Sequence, residues 1–451
     1  MDATTERVVD FAMRAEFSAL PQSAVHACKR RLVDAFSCAM AAYDEPLPVM
    51  ARAMARRQSG DPPASVWGCD WKSTPEAAAF ANGVALRDQD MMDAYLGKTR
   101  GHPSDVIAGI LTAAEVARAD GPSAINAIVL AYDVFCTFCD SVDVHARGWD
   151  QPVAGVIACA VGAGRLLGLN REQMGHAFAL ALTPNMALFR TRAGEMSQWK
   201  VCASANGSRN AVFAVLLARD GCTGPDRIIE GRHGLWDAIG RFDWQPRVGA
   251  GMPHYVERTH MKCFPVAYHA QPVVWAALAV RDGLALDDIA EVRIDTYRLA
   301  VEMTGKEEVC WAPRTREMAV HSAPYVLAVA LLDGEVSSAS FEQARLDDHA
   351  IGRLMRKVEV FEAPELSARY PEAAPCRLTI TLSSGRVILS EVTHPKGHAA
   401  NPLIDIELDD KFRRAFRGHG DEVRCEAALQ GLWQFDRCAS VTHTLSLFAR
   451  A

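Results

Sequence analysis

The sequence predicts a mainly α protein with one α+β unit set between helical stretches, and three observations predict it. From residue 1 to about 240 apolar residues recur at helical spacing, and few segments alternate with a period of two. Near residue 260 the pattern changes, and alternating segments appear among helices up to about 395. After Leu408 the helical pattern returns and runs to the end. At 451 residues the chain exceeds what one hydrophobic core usually serves, so two domains are the default expectation.

Two helical patterns fill residues 1–60. Pro21 stands near a helix start, followed by Val25, Cys28, Leu32, Phe36 and Met40 at i, i+3/i+4 spacing. Asp61-Pro-Pro marks a turn, Ala64-Ser-Val-Trp-Gly reads as a short extended piece, and Ser73-Thr-Pro opens a helix over 74–96. Further helices are expected over 104–119 (after Pro103), 121–140, 152–168, 171–183 and 198–219. The Ala, Gly and Val of 152–168 suit a helix buried among close neighbours. Its Gly162, Gly164 and Gly168 are not a dinucleotide fingerprint, because no strand precedes them and the spacing is wrong. In the second part a helix over 272–282 precedes a strand from Ile289 to Tyr297, and another helix runs from Ser322 to Leu332. Val358–Glu362 reads as a strand, and Arg377–Leu382 with Arg386–Val392 as a hairpin around Ser383-Ser-Gly.

Composition excludes several classes. The net charge of −7, with no long basic run, speaks against nucleic acid, and an anionic substrate must be drawn by a local cluster of cations. Met1-Asp-Ala-Thr-Thr-Glu-Arg lacks the basic and apolar regions of a secretory signal, and the apolar run 153–169 is broken short of a membrane span. Thirteen irregularly spaced cysteines then read as reduced thiols in a cytoplasm. Cys136 and Cys139 form a C-x-x-C inside an apolar helical run and are expected in the core. No phosphate loop, dinucleotide fingerprint, iron–sulfur cysteine cluster or His-Glu-x-x-His spacing is present, so no cofactor and no metal are expected.

The chemistry concentrates in residues 86–105, which hold Asp88, Asp90 and Asp93, the cations Lys98 and Arg100, and His102. Asp90 and Asp93 stand three apart, the spacing of one helix face. Gly97, Gly101 and Pro103 then break the helix and deliver His102 on a loop. Acids at a helix end with a histidine on the next turn form a proton-transfer pair. On composition alone, a capped helix–loop–helix with solvated charges is the favoured reading.

Several stretches, in order, resemble the MmgE/PrpD family, which contains 2-methylcitrate dehydratase, cis-aconitate decarboxylase and an iminodisuccinate epimerase. Asn82-Gly-Val-Ala-Leu…Asp90-Met-Met-Asp93 is similar to its Asn-Gly…Leu-Asp-x-x-Asp segment, and Gly101-His-Pro-Ser-Asp to its His-Pro-Ser signature. Leu166-Leu-Gly-Leu, Trp199-Lys200, Glu230-Gly-Arg-His-Gly and Lys262-Cys-Phe-Pro…His269 resemble later family motifs. So do His321-Ser-Ala-Pro-Tyr325 and Pro395-Lys-Gly-His…Asn401-Pro-Leu…Lys411-Phe. The resemblance implies a large all-helical domain over 1–259 and 396–451 and a smaller α+β lid domain over 260–395. It further implies an active site in the cleft between them and a homodimer. It points to Asp93, His102, Lys200, Lys262, Tyr325 and His269 as catalytic, with Asp90 beside them.

Two departures bear on the branch. Ala94 stands where many members have Thr, and Gly148-Trp-Asp150 puts Asp150 where many have His. The Gly-x-Asp pattern and the Phe264–His269 spacing resemble bacterial 2-methylcitrate dehydratases and turn the choice away from a decarboxylase. The expected activity is therefore a cofactor-independent dehydration of 2-methylcitrate or a related β-hydroxy tricarboxylate. An iminodisuccinate-like epimerase and a cis-aconitate-type decarboxylase are the alternatives. Such a dehydration needs a base for the α-proton, cations for the enolate-like charge, and an acid for the departing hydroxyl. Lys200, Lys262, Arg190, Arg192 and Arg258 are the cations placed to hold carboxylates. His102, oriented by Asp93, is the expected proton-transfer group, with Tyr325 or His269 supplying the other proton. The sequence leaves open which side of the reaction each serves.

Overall fold

The computed structural model describes residues 1–246 and 251–450. Its first part is a packed set of helices whose starts follow local capping chemistry. Asp2 caps Ala3–Met13, Thr74 with Pro75 opens Pro75–Asp88, and Asp120 with Pro122 opens Gly121–Ser141. Residues 1–60 hold three helices, Ala3–Met13, Gln22–Ala41 and Pro46–Ala55, where the apolar spacing alone distinguishes two. Pro152–Leu166 lies between Gly121–Ser141 and Trp199–Arg219, and its small residues allow that close approach. Gly121–Ser141 is long and apolar enough to cross a membrane, but its most apolar window is 83% buried, as in a core helix. Cys136 and Cys139 lie inside it, their thiols held in protonated form by burial.

The second part is built on a four-stranded sheet in the order Val358–Glu362, Ile289–Thr296, Cys376–Leu382, Val387–Val392. The first pair is parallel, in register Val292 with Val358; the other two are antiparallel, with Ile294 opposite Leu378 and Ile380 opposite Ile388. Cys376–Leu382 buries every second residue, and the helices Gln271–Arg281 and Ala323–Asp333 supply the covering apolar layer.

The two largest apolar clusters draw on different stretches of the chain. One draws on residues 8–261 and 403–448, the other on 266–392. The returning helix Asp405–Phe416 packs on Gln22–Ala41. The chain passes between the clusters twice, and the two passages lie side by side. Met261 N donates to Gly397 O at 2.9 Å, and the His260 and His398 rings stack 4.3 Å apart.

One expectation fails here. The helix opened by Thr74 stops at Asp88, eight residues before the expected end at 96, because Asp90 takes a left-handed backbone conformation with φ 49°. Asp is among the few residues that tolerate it.

Candidate active site

The early helix end decides what the acids do. Its reversed backbone turns the buried Asp90 carboxylate between two lysines, with Lys200 Nζ 2.8 Å from Oδ2 and Lys262 Nζ 2.8 Å from Oδ1. Arg87 Nη1 lies 3.8 Å and His321 Nε2 3.9 Å away. Burial works to raise the carboxyl's pKa, but Lys200, Lys262 and Arg87 hold it well below the usual carboxylate range. Burial pulls Lys200 down to about 8 against the opposing pull of Asp90, and lowers Lys262 as well.

Asp93, three residues on, is fully buried and already committed. Its carboxylate accepts from Ser104 N at 3.0 Å and Tyr132 Oη at 2.9 Å, and Arg31 Nε stands 3.7 Å away. Its backbone carbonyl, not its carboxylate, meets His102 Nδ1 at 2.6 Å. A carbonyl only accepts, so Nδ1 carries the proton and Nε2 keeps its lone pair. That Nε2 makes no hydrogen bond among the described residues, and the ring lines a chamber of about 80 Å³. Burial, then Arg87 and Lys262, hold the His102 pKa well below the ordinary imidazole value, so the ring is neutral.

A second imidazole lines the same chamber with the opposite polarity. His269 Nδ1 lies 2.6 Å from the hydroxyl of Tyr297, itself buried. That hydroxyl has no other acceptor among the described residues, so it donates to Nδ1 and leaves Nε2–H on the chamber side. Burial brings the His269 pKa down to about 3. Lys262, Arg100 and Arg192 complete the polar wall. Arg192 Nε donates to Asp150 Oδ1 at 2.7 Å, while its Nη2 is buried without a partner. Asp90 also borders a second cavity of about 250 Å³, lined by Lys200, Arg87, Arg316, Glu45 and Asp88. The lysine–aspartate–lysine bridge is thus the partition between the two spaces. No group of three or more His, Cys, Asp or Glu side chains among the described residues has the geometry to hold a metal ion.

Family models of the MmgE/PrpD N-terminal and C-terminal domains match residues 6–246 and 264–434. The chain belongs to the MmgE/PrpD family. It is similar to the 2-methylcitrate dehydratase of Cupriavidus necator, with 28% identity over 443 residues, 90% of this chain and 88% of that protein. The 2-methylcitrate dehydratase of Escherichia coli K12 is 26% identical over the same shares. The cis-aconitate decarboxylase of Mus musculus is 26% identical over 394 residues, 83% of this chain and 78% of that protein.

Within this MmgE/PrpD chain the expected residues separate into two groups. Asp90, His102, Lys200, Lys262, His269, Arg192 and Asp150 come together around the two spaces. Asp93 supports them from beneath and meets His102, which it is expected to orient, through its backbone carbonyl and not through its carboxylate. Tyr325 stands elsewhere. It lies in the apolar cluster of the sheet unit, where its hydroxyl donates to Ser340 O at 2.7 Å. Arg190 is exposed, and Arg258 lies over the Tyr255 ring, 4.4 Å from its centroid. Sequence reasoning missed Arg87, His145 and Gln151, and named Arg100 only as a charge of the 86–105 stretch. Gln151 ties the site to Asp105 at 3.0 Å and Ser204 at 2.6 Å. Arg87 and Arg100 lay within or beside the charged 86–105 stretch, but only tertiary contact distinguishes them from solvated cations.

Proposed function

We propose that this chain is a hydro-lyase that dehydrates 2-methylcitrate or a related β-hydroxy tricarboxylate. The observation that carries the reading is the locked tautomer of His102, a neutral imidazole whose free Nε2 borders a chamber walled by cations. In this reading His102 Nε2 takes the proton α to a carboxylate. Lys262 and Arg192 hold carboxylates of the substrate and stabilise the enolate-like charge as the C–H bond breaks. The electron pair forms the C=C bond and expels the β-hydroxyl. His269 faces the chamber as a donor; as the polyanion arrives the ring takes up a solvent proton at Nδ1, the Tyr297 hydroxyl turns to accept it, and the imidazolium gives its Nε2 proton to the departing hydroxyl, which leaves as water. Similarity to dehydratases along nearly the whole chain supports the same reaction class.

The test is proton NMR in deuterated water with 2-methylcitrate, citrate, cis-aconitate and iminodisuccinate. Alkene signals from 2-methylcitrate are expected. Deuterium entering an α position without an alkene would assign an epimerase instead. His102→Ala should cut turnover by roughly 10²–10⁴-fold, the usual worth of a positioned base, with folding preserved by circular dichroism. Turnover close to wild type in that variant removes His102 from the mechanism.

A further inference from the structure

The cations around the chamber and the adjoining cavity are unequally matched by acids. Lys200 and Lys262 share Asp90, Arg192 has Asp150, and Arg87 stands 3.8 Å from Asp90 and from Asp105. Arg100 has none. It sits on the two-residue strand Arg100–Gly101, paired with Tyr95–Leu96, and lines the chamber beside His102 and His269. Its Nη2 lies 3.1 Å from His145 Nδ1. A guanidinium only donates, so His145 Nδ1 accepts and its proton sits on Nε2. His145 is therefore neutral, and burial together with Arg100 lowers its pKa to about 4. No carboxylate forms an ion pair with Arg100 among the described residues. A full charge drawn out of bulk water against a neutral acceptor is costly unless an anion arrives to meet it.

We infer that Arg100 receives one carboxylate of the substrate and selects a tricarboxylate over a dicarboxylate. The inference rests on the polycarboxylate reading above. Lys262 and Arg192 answer to two carboxylates but are already paired with protein acids. Arg100 keeps its charge, and with one Nη2 contact to His145 its remaining N–H groups are open to a charge-assisted, two-point contact. His145 is then a positioning residue that aims the guanidinium without neutralising it.

Isothermal titration calorimetry with citrate and with malate, which shares the hydroxy-acid unit but lacks the third carboxylate, tests this. Wild type should bind citrate more tightly than malate. R100M should lose about ten- to a hundredfold in citrate affinity, the worth of a charged hydrogen-bonded contact, with malate affinity changed by less than about threefold. R100K should recover most of the citrate affinity, and an unchanged melting temperature in both variants excludes a folding effect. R100M that binds citrate like wild type overturns the inference, as does equal loss of citrate and malate, which marks general attraction. Wild type that binds neither ligand overturns the polycarboxylate reading beneath it.

Discussion

Two carboxylates three residues apart end with different jobs because one backbone dihedral separates them. Asp90 takes the charge-bridging role and Asp93 the structural one, and no helical-wheel argument separates the two. The bridge carries a pH signature. Lys200 titrates near 8, and loss of its proton leaves Asp90 with a single ammonium partner and the cation cluster one charge short. The profile of kcat/KM, which reports the free enzyme, should therefore fall above about pH 8. Lys200→Arg, charged throughout, should carry the plateau past pH 10; a fall still centred near 8 in that variant assigns the limb to another group. Of the site, the His-Pro-Ser and Lys-x-Phe-Pro residues are legible in the sequence, since they sit in ordered motifs. Arg100 and His145 are not, because their meeting bridges 45 residues and depends on how two separate segments fold together.

At the level of elements, periodic apolar spacing and caps placed most helices within a few residues. Misplaced ends fell where one residue overrides the pattern, as at Asp90. The sheet hairpin was readable because its alternation and turn are local, while the parallel pairing of Ile289–Thr296 with Val358–Glu362 is not local. The paired passages between the two clusters depend on Gly397. Its φ is +92°, and a Cβ there would lie 1.9 Å from the carbonyl oxygen of Met261, the residue before Lys262. Gly397→Ala must push the passages apart. It should destabilise the fold by more than about 1 kcal/mol in urea unfolding and depress kcat by displacing Lys262. Full stability and activity in this variant would mean the pairing does not position the lysine.

On the scale of the whole molecule, one exposed face stands out. Met50, Met54, Trp199 and Phe213 are each about half exposed around a groove of about 600 Å³, with Glu76 and Arg209 beside them. Apolar patches of this kind mark association surfaces, and we propose that the homodimer implied by the family resemblance forms through this one. Sedimentation velocity should show a dimer for wild type and a monomer for Phe213→Asp; a monomeric wild type removes the proposal. Trp199 immediately precedes Lys200 in the same helical turn, so this face and the second cavity share a wall. The chamber itself, at about 80 Å³, falls short of the ~300 Å³ or more of ordinary ligand sites, and the lysine–aspartate–lysine bridge stands between it and the second cavity of about 250 Å³. That partition is fastened by Lys262, which lies directly after the paired passages and holds Asp90 Oδ1 at 2.8 Å. The arrangement is an interlock: a change that parts the passages also moves the lysine that closes the partition.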